Sequence, residues 1–204
     1  MIETLLSFSI ATLALAIAPG PDNIYVLTQA LVNGTKSGIA TTAGLISGCI
    51  VHTTLLAFGI SAIITASSDL FYGIKVLGAC YLLFLAYKVY RSDETISLSE
   101  NASSKSYLQL YKTGFIMNLV NPKVMIFFLA FFPGFLWDNN GNTIVQFYVL
   151  GVLFMLISFL VFSAIALLAG RISNFILKRK GVGTFLKWLQ IVVFVGIGLY
   201  IILA

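Results

Sequence analysis

The stretches Ala18-Pro19-Gly20-Pro21-Asp22-Asn23 and Asn121-Pro122-Lys123 decide the fold, because each puts proline and a charge inside a long apolar segment. Proline fits the first position of a helix, where its missing N–H would have no partner anyway. Asn121 is a good N-cap residue and Gly20 an acceptable one. Each stretch therefore predicts the end of one half-helix and the start of another. The alternative is a proline that merely kinks a continuous, packed helix.

The composition is that of a protein surrounded by lipid. Hydrophobic residues make up 59% and charged residues 9% of the 204 residues, whereas soluble domains contain roughly 25% charged residues. The net charge of +5 would suggest nucleic acid in a soluble protein, but the basic residues fall between apolar stretches. That placement indicates membrane topology and contact with lipid headgroups. We therefore predict an all-α integral membrane protein with no nucleic-acid partner.

Six apolar stretches have the length of a membrane span, for which a helix needs roughly 20 residues. The first and the fourth contain the two proline breaks. Because no Lys or Arg precedes Lys36, the first stretch is predicted to be a retained span and not a signal peptide. The predicted spans are Thr4–Leu31, Gly38–Ala66, Leu70–Tyr90, Tyr111–Trp137, Thr143–Ala169 and Phe185–Ala204.

The positive-inside rule sets the predicted orientation. The connections after the first, third and fifth spans carry the basic residues, while the opposite side offers Glu3, Asp69 and Asp138. We predict a multi-pass protein of the bacterial inner membrane with both termini on the periplasmic side. The polar segment Arg91–Ser106 is predicted to be a flexible cytoplasmic loop, and Arg171–Lys187 a short interfacial stretch.

The spacing of the two breaks suggests an internal repeat. Pro21 and Pro122 lie 101 positions apart in a chain of 204 residues, which divides it into two halves of three spans each. An odd number of crossings gives the halves opposite orientations, and inverted repeats with paired broken helices are the architecture of many secondary transporters. The prediction is a single transmembrane domain, 1–204, with inverted repeats over about 1–90 and 107–204 and the loop 91–106 between them.

Each break carries an ionisable residue at a depth where a charge costs roughly 2.5–3.5 kcal/mol to insert. The free N–H groups and the dipole of a half-helix N-terminus favour a carboxylate. Lys123 is therefore predicted to hold the carboxylate of a zwitterion, and Asp22 to face its ammonium group. A salt bridge that locks the first span to the fourth is the alternative. The predicted substrate site comprises Gly20, Pro21, Asp22, Asn23, Asn121, Pro122 and Lys123.

His52 is the only histidine and lies near the middle of the second span. Gly44, Gly48 and His52 recur at intervals of four residues and so share one helix face. Small residues at that spacing let another helix approach closely, which turns His52 towards the interior of the bundle. There it is predicted to join Asp22 in coupling transport to protons, since imidazole titrates near neutral pH. A histidine that only makes a structural hydrogen bond is the alternative.

The motifs at the two breaks resemble the lysine exporter and homoserine/threonine exporter family of amino-acid efflux transporters. The turn Asn33–Gly38 (Asn-Gly-Thr-Lys-Ser-Gly) and the stretch from Leu77 to Lys88 are similar to the same family. The resemblance covers nearly the whole chain. It implies a six-helix antiporter of the bacterial inner membrane that exports amino acids or close derivatives. It also implies that protons or another coupling ion drive the export.

The sequence gives less support to other functions. The chain has no G-x-x-x-x-G-K-[ST] phosphate loop, which argues against a primary pump, and no enzyme activity, cofactor or resident metal is predicted. An exporter of heavy-metal cations or other small solutes with the same architecture stays open. Cys49 and His52 lie three residues apart on one helix, and soft cations prefer thiolate and imidazole ligands. A homodimer also stays open.

Overall fold

The computed structural model of the chain describes residues 1–92, 105–138, 141–178 and 181–203, and the regular elements in these ranges are helical. A π-helical turn, Leu56–Ile60, joins the helices Thr35–Leu55 and Ser61–Ala66. The helix Pro122–Ile126 continues through a π-helical turn, Phe127–Phe131, and a 3₁₀ turn, Phe132–Phe135. The α-helices are α1 (Ile2–Ile17), α2 (Pro21–Asn33), α3 (Thr35–Leu55), α4 (Ser61–Ala66), α5 (Ser68–Arg91), α6 (Tyr107–Val120), α7 (Pro122–Ile126), α8 (Thr143–Leu167), α9 (Ala169–Lys178) and α10 (Val182–Leu203).

Two pairs of helices form bent spans, and both bends fall at the predicted prolines. The helix axis turns by 58° between α1 and α2, and by 51° between α6 and the segment Pro122–Phe135. Each pair is long and apolar enough to cross a membrane as one unit, and four further helices qualify alone, so the described residues contain up to six candidate spans. The predicted all-α membrane fold with broken first and fourth spans is confirmed. The inverted relation of the two halves stays a prediction.

The connections on the basic side are only partly described. Residues 93–104 of the predicted loop Arg91–Ser106 lie outside the described residues. The loop's end is defined by a capping box, in which Ser106 Oγ accepts from the N–H of Gln109 at 3.3 Å and Gln109 Oε1 accepts from the N–H of Ser106 at 2.9 Å. Most of the predicted interfacial stretch is helical, because α9 covers its first part and α10 begins at Val182, three residues before the predicted start of the last span.

Span 2 packs against the first half of span 4 along a seam of glycines. A Cβ at Gly44 of α3 would overlap the carbonyl oxygen of Tyr111 on α6, and a Cβ at Gly114 of α6 would overlap the carbonyl oxygen of Thr41 on α3. Close backbone approach through small residues is a usual way for helices to associate in a membrane. The predicted small-residue face of span 2 is confirmed, and its partner is α6.

Aromatic side chains fill the bundle on the side of the breaks that lies away from the basic connections. Phe128 and Phe132 stack with ring centroids 4.2 Å apart, and Phe8 of α1 meets Phe132 edge-on at 4.9 Å. These are preferred ring geometries. We call this set the phenylalanine cluster, and its members are Phe8, Phe127, Phe128, Phe131, Phe132, Phe135 and Phe154.

Gly44→Ala is expected to lower the unfolding midpoint of the protein in mild detergent by about 2–10 °C, since overpacking a close contact costs about 1–3 kcal/mol. The matched control is Gly73→Ala on α5, where an added Cβ meets nothing within 4 Å. Both substitutions replace glycine with alanine and so raise the helix propensity equally. The difference between the two unfolding midpoints therefore measures the close contact between α3 and α6. Equal midpoints would show that α3 and α6 do not depend on this contact.

Candidate functional site

The two breaks meet through the side chain of Asn121. Its Nδ2 donates to Asp22 Oδ2 at 2.7 Å, and its Oδ1 accepts from the backbone N–H of Lys123 at 3.0 Å. The backbone N–H can only donate, so the second contact fixes the orientation of the amide. Asn121 therefore caps the second half of span 4 and at the same time ties that half to the first turn of α2. Asp22 and Asn121 are both buried.

The end of α1 receives its hydrogen bonds from other parts of the chain. The last carbonyls of a helix have no partner within the helix, and lipid offers none. Asn23 Nδ2 donates to the carbonyl oxygen of Ala16 at 2.7 Å, and Lys123 Nζ donates to those of Leu15 at 3.3 Å and Ala18 at 3.2 Å. A cation at a helix C-terminus also interacts favourably with the dipole. Lys123, a residue of the fourth span, thus stabilises the break in the first span.

Asp22 and Lys123 do not form the direct ion pair that the sequence left open as an alternative. In the part of the chain that the structure describes, the contacts of the Lys123 ammonium are the two carbonyls and the face of Phe194, whose ring centroid lies 5.5 Å from Nζ. Asp22 is held by Asn121 instead. The two opposite charges are therefore linked through Asn121, and each keeps capacity for a further partner.

His52 reaches the second break from span 2. Its Nε2 lies 3.3 Å from the carbonyl oxygen of Asn118, which also accepts from the N–H of Asn121 at 3.2 Å. Because a carbonyl only accepts, Nε2 must carry the hydrogen. The thiol of Cys49, one turn earlier on α3, lies 3.5 Å from Nδ2 of Asn118. His52 is thus connected to Asn121 through the backbone of Asn118 and does not itself contact Asp22.

At least three cavities border the breaks in the described structure; one, of about 170 Å³ beside Pro19, is almost entirely apolar, and the other two have charged residues in their walls. The inner cavity has a volume of about 30 Å³, and its polar lining consists of Asp22, Asn23, Cys49, Asn118, Lys123 and Ser158. The vestibule has a volume of about 310 Å³ and leads towards the C-terminal end of α5; its lining includes Pro21, Lys88, Ser92, Asn121, Lys123 and Gln190. Lys123 borders both.

The structure brings all seven predicted substrate-site residues to the meeting point of the breaks. Asp22 and Asn23 line the inner cavity, and Pro21, Asn121 and Pro122 line the vestibule. Gly20 lies against Lys123, since a Cβ added to it would be 3.4 Å from Nζ. Whether these residues bind substrate stays a prediction, as does proton coupling by Asp22 and His52.

Asn118 and Ser158, which no sequence pattern had singled out, also line the inner cavity. Asn118 is 3% and Ser158 2% exposed. A signal was present for Asn118, because an amide in the middle of an apolar span needs a partner and the bundle interior supplies one. Ser158 gave no such signal, because serine is common in membrane helices, where its hydroxyl can bond to its own backbone; in this structure Ser158 Oγ makes no hydrogen bond to a described residue.

The geometry gives the heavy-metal alternative no support. Among the described residues, no three side chains of His, Cys, Asp or Glu come together in a group that could hold a metal ion. Cys49 is buried and Cys80 is exposed, and both are free thiols. Cys49 faces the amide of Asn118 and not a second thiol.

Comparisons with known proteins point to one family. The profile of the family described as LysE type translocator matches residues 13–204 of the chain. Two proteins named homoserine/homoserine lactone efflux protein, from Salmonella typhimurium strain LT2 and from Salmonella typhi, are each 29% identical to the chain over 174 residues. The match covers 85% of this chain and 84% of each relative. No solved structure matches.

Asn23→Ala is expected to loosen the end of α1, because it leaves the carbonyl oxygen of Ala16 without its donor at a cost of about 1–3 kcal/mol. Hydrogen–deuterium exchange of the backbone around the first break should rise, and the midpoint of unfolding should fall. The control is Asn33→Ala on the same helix, whose amide donates to Gln29 at the far end of α2, away from the break. Unchanged exchange in the Asn23 variant would mean that the break does not rely on this hydrogen bond.

Proposed function

The chain belongs to the LysE type translocator family, and on that premise we propose that it exports amino acids or close derivatives across the bacterial inner membrane. It is a multi-pass membrane protein and a transporter, not an enzyme. Because both relatives above are named for homoserine or homoserine lactone efflux, we propose a small polar amino acid of the homoserine type as substrate. The proposed orientation places both termini in the periplasm.

The observation that carries this proposal is the link Asp22–Asn121–Lys123 at the meeting point of two broken spans. A zwitterion needs one anionic and one cationic partner, and these two charges lie on different spans and are linked by Asn121. In the described structure two of the three N–H donors of Lys123 are used by carbonyl oxygens, which leaves one for a substrate carboxylate. Asp22 Oδ1 makes no hydrogen bond to a described residue and suits an ammonium group.

Lys123 also connects substrate binding to the shape of the bundle. A carboxylate has two oxygens: one can take the free donor of Nζ, and the other competes with the carbonyl oxygens of Leu15 and Ala18, which the same ammonium holds at the end of α1. The ammonium–carbonyl hydrogen bonds have only one ionised partner, whereas a carboxylate adds the attraction between opposite charges, so the carboxylate is the better partner. Substrate binding is thereby expected to release the end of α1 and to let the two broken spans move relative to each other.

The two sides of the site differ, which fits one state of an alternating-access cycle. The vestibule leads from Lys123 towards Lys88 and Ser92 at the end of α5, on the side of the basic connections. On the other side the phenylalanine cluster closes the bundle, with Phe8 and Phe132 fully buried. Under the proposed orientation this state accepts substrate from the cytoplasm. Rocking of one inverted half against the other would then open the opposite side.

Coupling to an ion gradient belongs to the same proposal. Asp22 is the first candidate to carry the proton, since it is buried beside the cavity and borders the substrate partner Asn121. His52 is the second candidate, because its ring reaches the same break through the carbonyl oxygen of Asn118. Proton–substrate antiport and a homodimeric assembly are the forms that we propose for the family member described here.

The direct test is efflux from cells preloaded with a mixture of amino acids. The intact protein is expected to lower the cell content of one or two amino acids, with homoserine among them. Lys123→Met should weaken apparent affinity by about tenfold or more, as expected when a charged hydrogen-bond partner is removed. Asp22→Asn should abolish export driven by a pH gradient.

The matched controls are Lys75→Met and Asp69→Asn, which remove the same charges from span 3 outside both cavities. They should export like the intact protein. Unchanged efflux of every amino acid, with the protein confirmed in the membrane, would reject amino-acid export in favour of another small solute. Unchanged affinity in Lys123→Met would reject its carboxylate role alone.

The vestibule makes a separate prediction about access. In a background with Cys49→Ser and Cys80→Ser, Gln190→Cys on the vestibule wall is expected to react with a membrane-impermeant maleimide from the cytoplasmic side. Substrate should slow this reaction. Val192→Cys on the same helix is the control; Val192 is 63% exposed on the outer surface of the bundle, where lipid should keep the thiol unreactive. Reaction from the periplasmic side alone would reverse the proposed orientation.

A further inference from the structure

A third cavity, beside the break in the first span, is lined almost wholly by apolar side chains. Its volume is about 170 Å³, and Asn23 is the only polar residue among the described residues that line it. The amide nitrogen of Asn23 already donates to the carbonyl oxygen of Ala16. Such walls offer a zwitterion no charged partner and suit a hydrocarbon chain. We call this cavity the apolar groove, and its walls include Ile17, Ile24, Leu27, Val161, Ile165 and Ile172.

The apolar groove reaches from the break to the end of the bundle that carries the basic connections. Pro19 lies at the break, whereas Ile165 lies two residues before the end of α8 and Ile172 lies on α9. Ile17 is 46% exposed, so the groove opens to the outside of the bundle, where lipid lies. An acyl chain runs in the same way from the membrane surface towards the middle of the hydrocarbon core. The groove therefore has the direction and the depth of an acyl chain.

The volume of the apolar groove fits part of one acyl chain. Apolar cavities of roughly 150 Å³ take up molecules of the size of benzene, so the 170 Å³ of the groove holds several methylene groups. Side chains that line an empty groove have no contact atoms on one side, and a chain lying in the groove restores these contacts. The groove is therefore better filled by a chain than left empty.

The groove ends beside basic residues. Arg171 is exposed and immediately precedes the lining residue Ile172 on α9. The sequence adds Lys-Arg-Lys at 178–180 to the same connection, and it contains no Asp or Glu after Asp138. Basic residues at a membrane surface attract anionic lipid headgroups. The charge at this end of the groove therefore matches an anionic phospholipid.

A second copy of the chain matches the groove less well. In a two-fold dimer the same surface patch of both subunits meets itself, so Arg171 and the basic residues after it would approach their own copies. Like charges repel each other, whereas an anionic headgroup neutralises them. The homodimer proposed above therefore uses another face of the bundle.

We propose that the apolar groove binds one anionic phospholipid from the leaflet next to the basic connections. Its phosphate group binds at Arg171, and part of one acyl chain lies in the groove against the break. Ile17 lies before the break and Ile24 after it, so the bound chain contacts both halves of span 1. The lipid thereby stabilises the bend of 58° between α1 and α2. This lipid site is separate from the proposed amino-acid site and does not depend on which solute is exported.

The first experiment measures phospholipid binding to the purified full chain in mild detergent by native mass spectrometry. The probes are phosphatidylglycerol and phosphatidylcholine with the same oleoyl chains. The intact protein should retain one phosphatidylglycerol, with an affinity about fivefold or more above that for phosphatidylcholine, as expected for a basic residue near an anionic headgroup. Arg171→Gln should remove this preference. The control is Arg91→Gln, which removes the same charge from α5, a helix that contributes no described residue to the groove.

Tryptophan substitutions in the same assay test the position of the acyl chain. Ile24→Trp on α2 and Ile165→Trp on α8 each fill the groove from a different wall. Neither variant should retain phosphatidylglycerol at a concentration that saturates the intact protein. The control is Ile202→Trp on α10, a residue 44% exposed outside the groove, which should bind like the intact protein. Circular dichroism and elution volume check that each variant is folded.

Three results of this experiment would overturn the proposal. Equal affinity for the two lipids would mean that the site does not select an anionic headgroup. Unchanged retention in both folded tryptophan variants would mean that the lipid binds elsewhere. A change from dimer to monomer in these variants, visible in the same spectra, would assign the groove to a second copy of the chain.

Hydrogen–deuterium exchange tests the effect of the lipid on the break. Oleoyl phosphatidylglycerol at about ten times its dissociation constant should slow backbone exchange between Ile17 and Ile24 by about tenfold, because opening of the break would expel the chain. Hexanoyl phosphatidylglycerol has the same headgroup but a chain too short to reach the break, and it should leave exchange unchanged. Equal slowing by both lipids would reject an acyl chain in the groove. Neither measurement involves export, so the lipid site and the proposed function can fail independently.

Discussion

The requirement that backbone groups find partners inside a membrane governs this structure. A broken helix leaves carbonyl and N–H groups without partners at a depth where lipid cannot hydrogen-bond to them. Side chains and backbone groups of other spans supply the missing partners. Asn23 and Lys123 serve the end of α1, Asn121 caps the second half of span 4, and His52 reaches the carbonyl oxygen of Asn118. The polar residues that resemble a binding site are therefore also the residues that hold the breaks together. Under the proposed function, substrate binding and conformational change act on the same hydrogen bonds.

The sequence predicted the breaks because their causes are local. Proline after glycine or asparagine stops one helix and starts another whatever surrounds it, and the observed bends of 58° and 51° fall at those positions. It did not predict that Lys123 would bind the end of α1, because this depends on the reach of a long side chain between spans about a hundred residues apart. Ser158 was beyond prediction for the same reason, since only the packing of α8 brings it to the cavity.

The two charges at the breaks are placed differently. Lys123 borders both the inner cavity and the vestibule, whereas Asp22 lines the inner cavity and not the vestibule. The glycine seam between α3 and α6 brings Asn118 and Cys49 against this region.

The phenylalanine cluster closes the bundle by apolar burial, without ion pairs among its members. Phe8, Phe127 and Phe132 are fully buried within it. Contacts between apolar side chains involve no charge interaction that dissolved salt could screen. The opposite entrance, in contrast, is lined by Lys88 and Lys123. Under the proposed orientation, the side closed by the phenylalanine cluster faces the outside of the cell, where ionic strength changes with the environment. The tightness of the protein against leakage should therefore stay constant as external salinity varies, while entry of charged solutes responds to the regulated ionic strength of the cytoplasm.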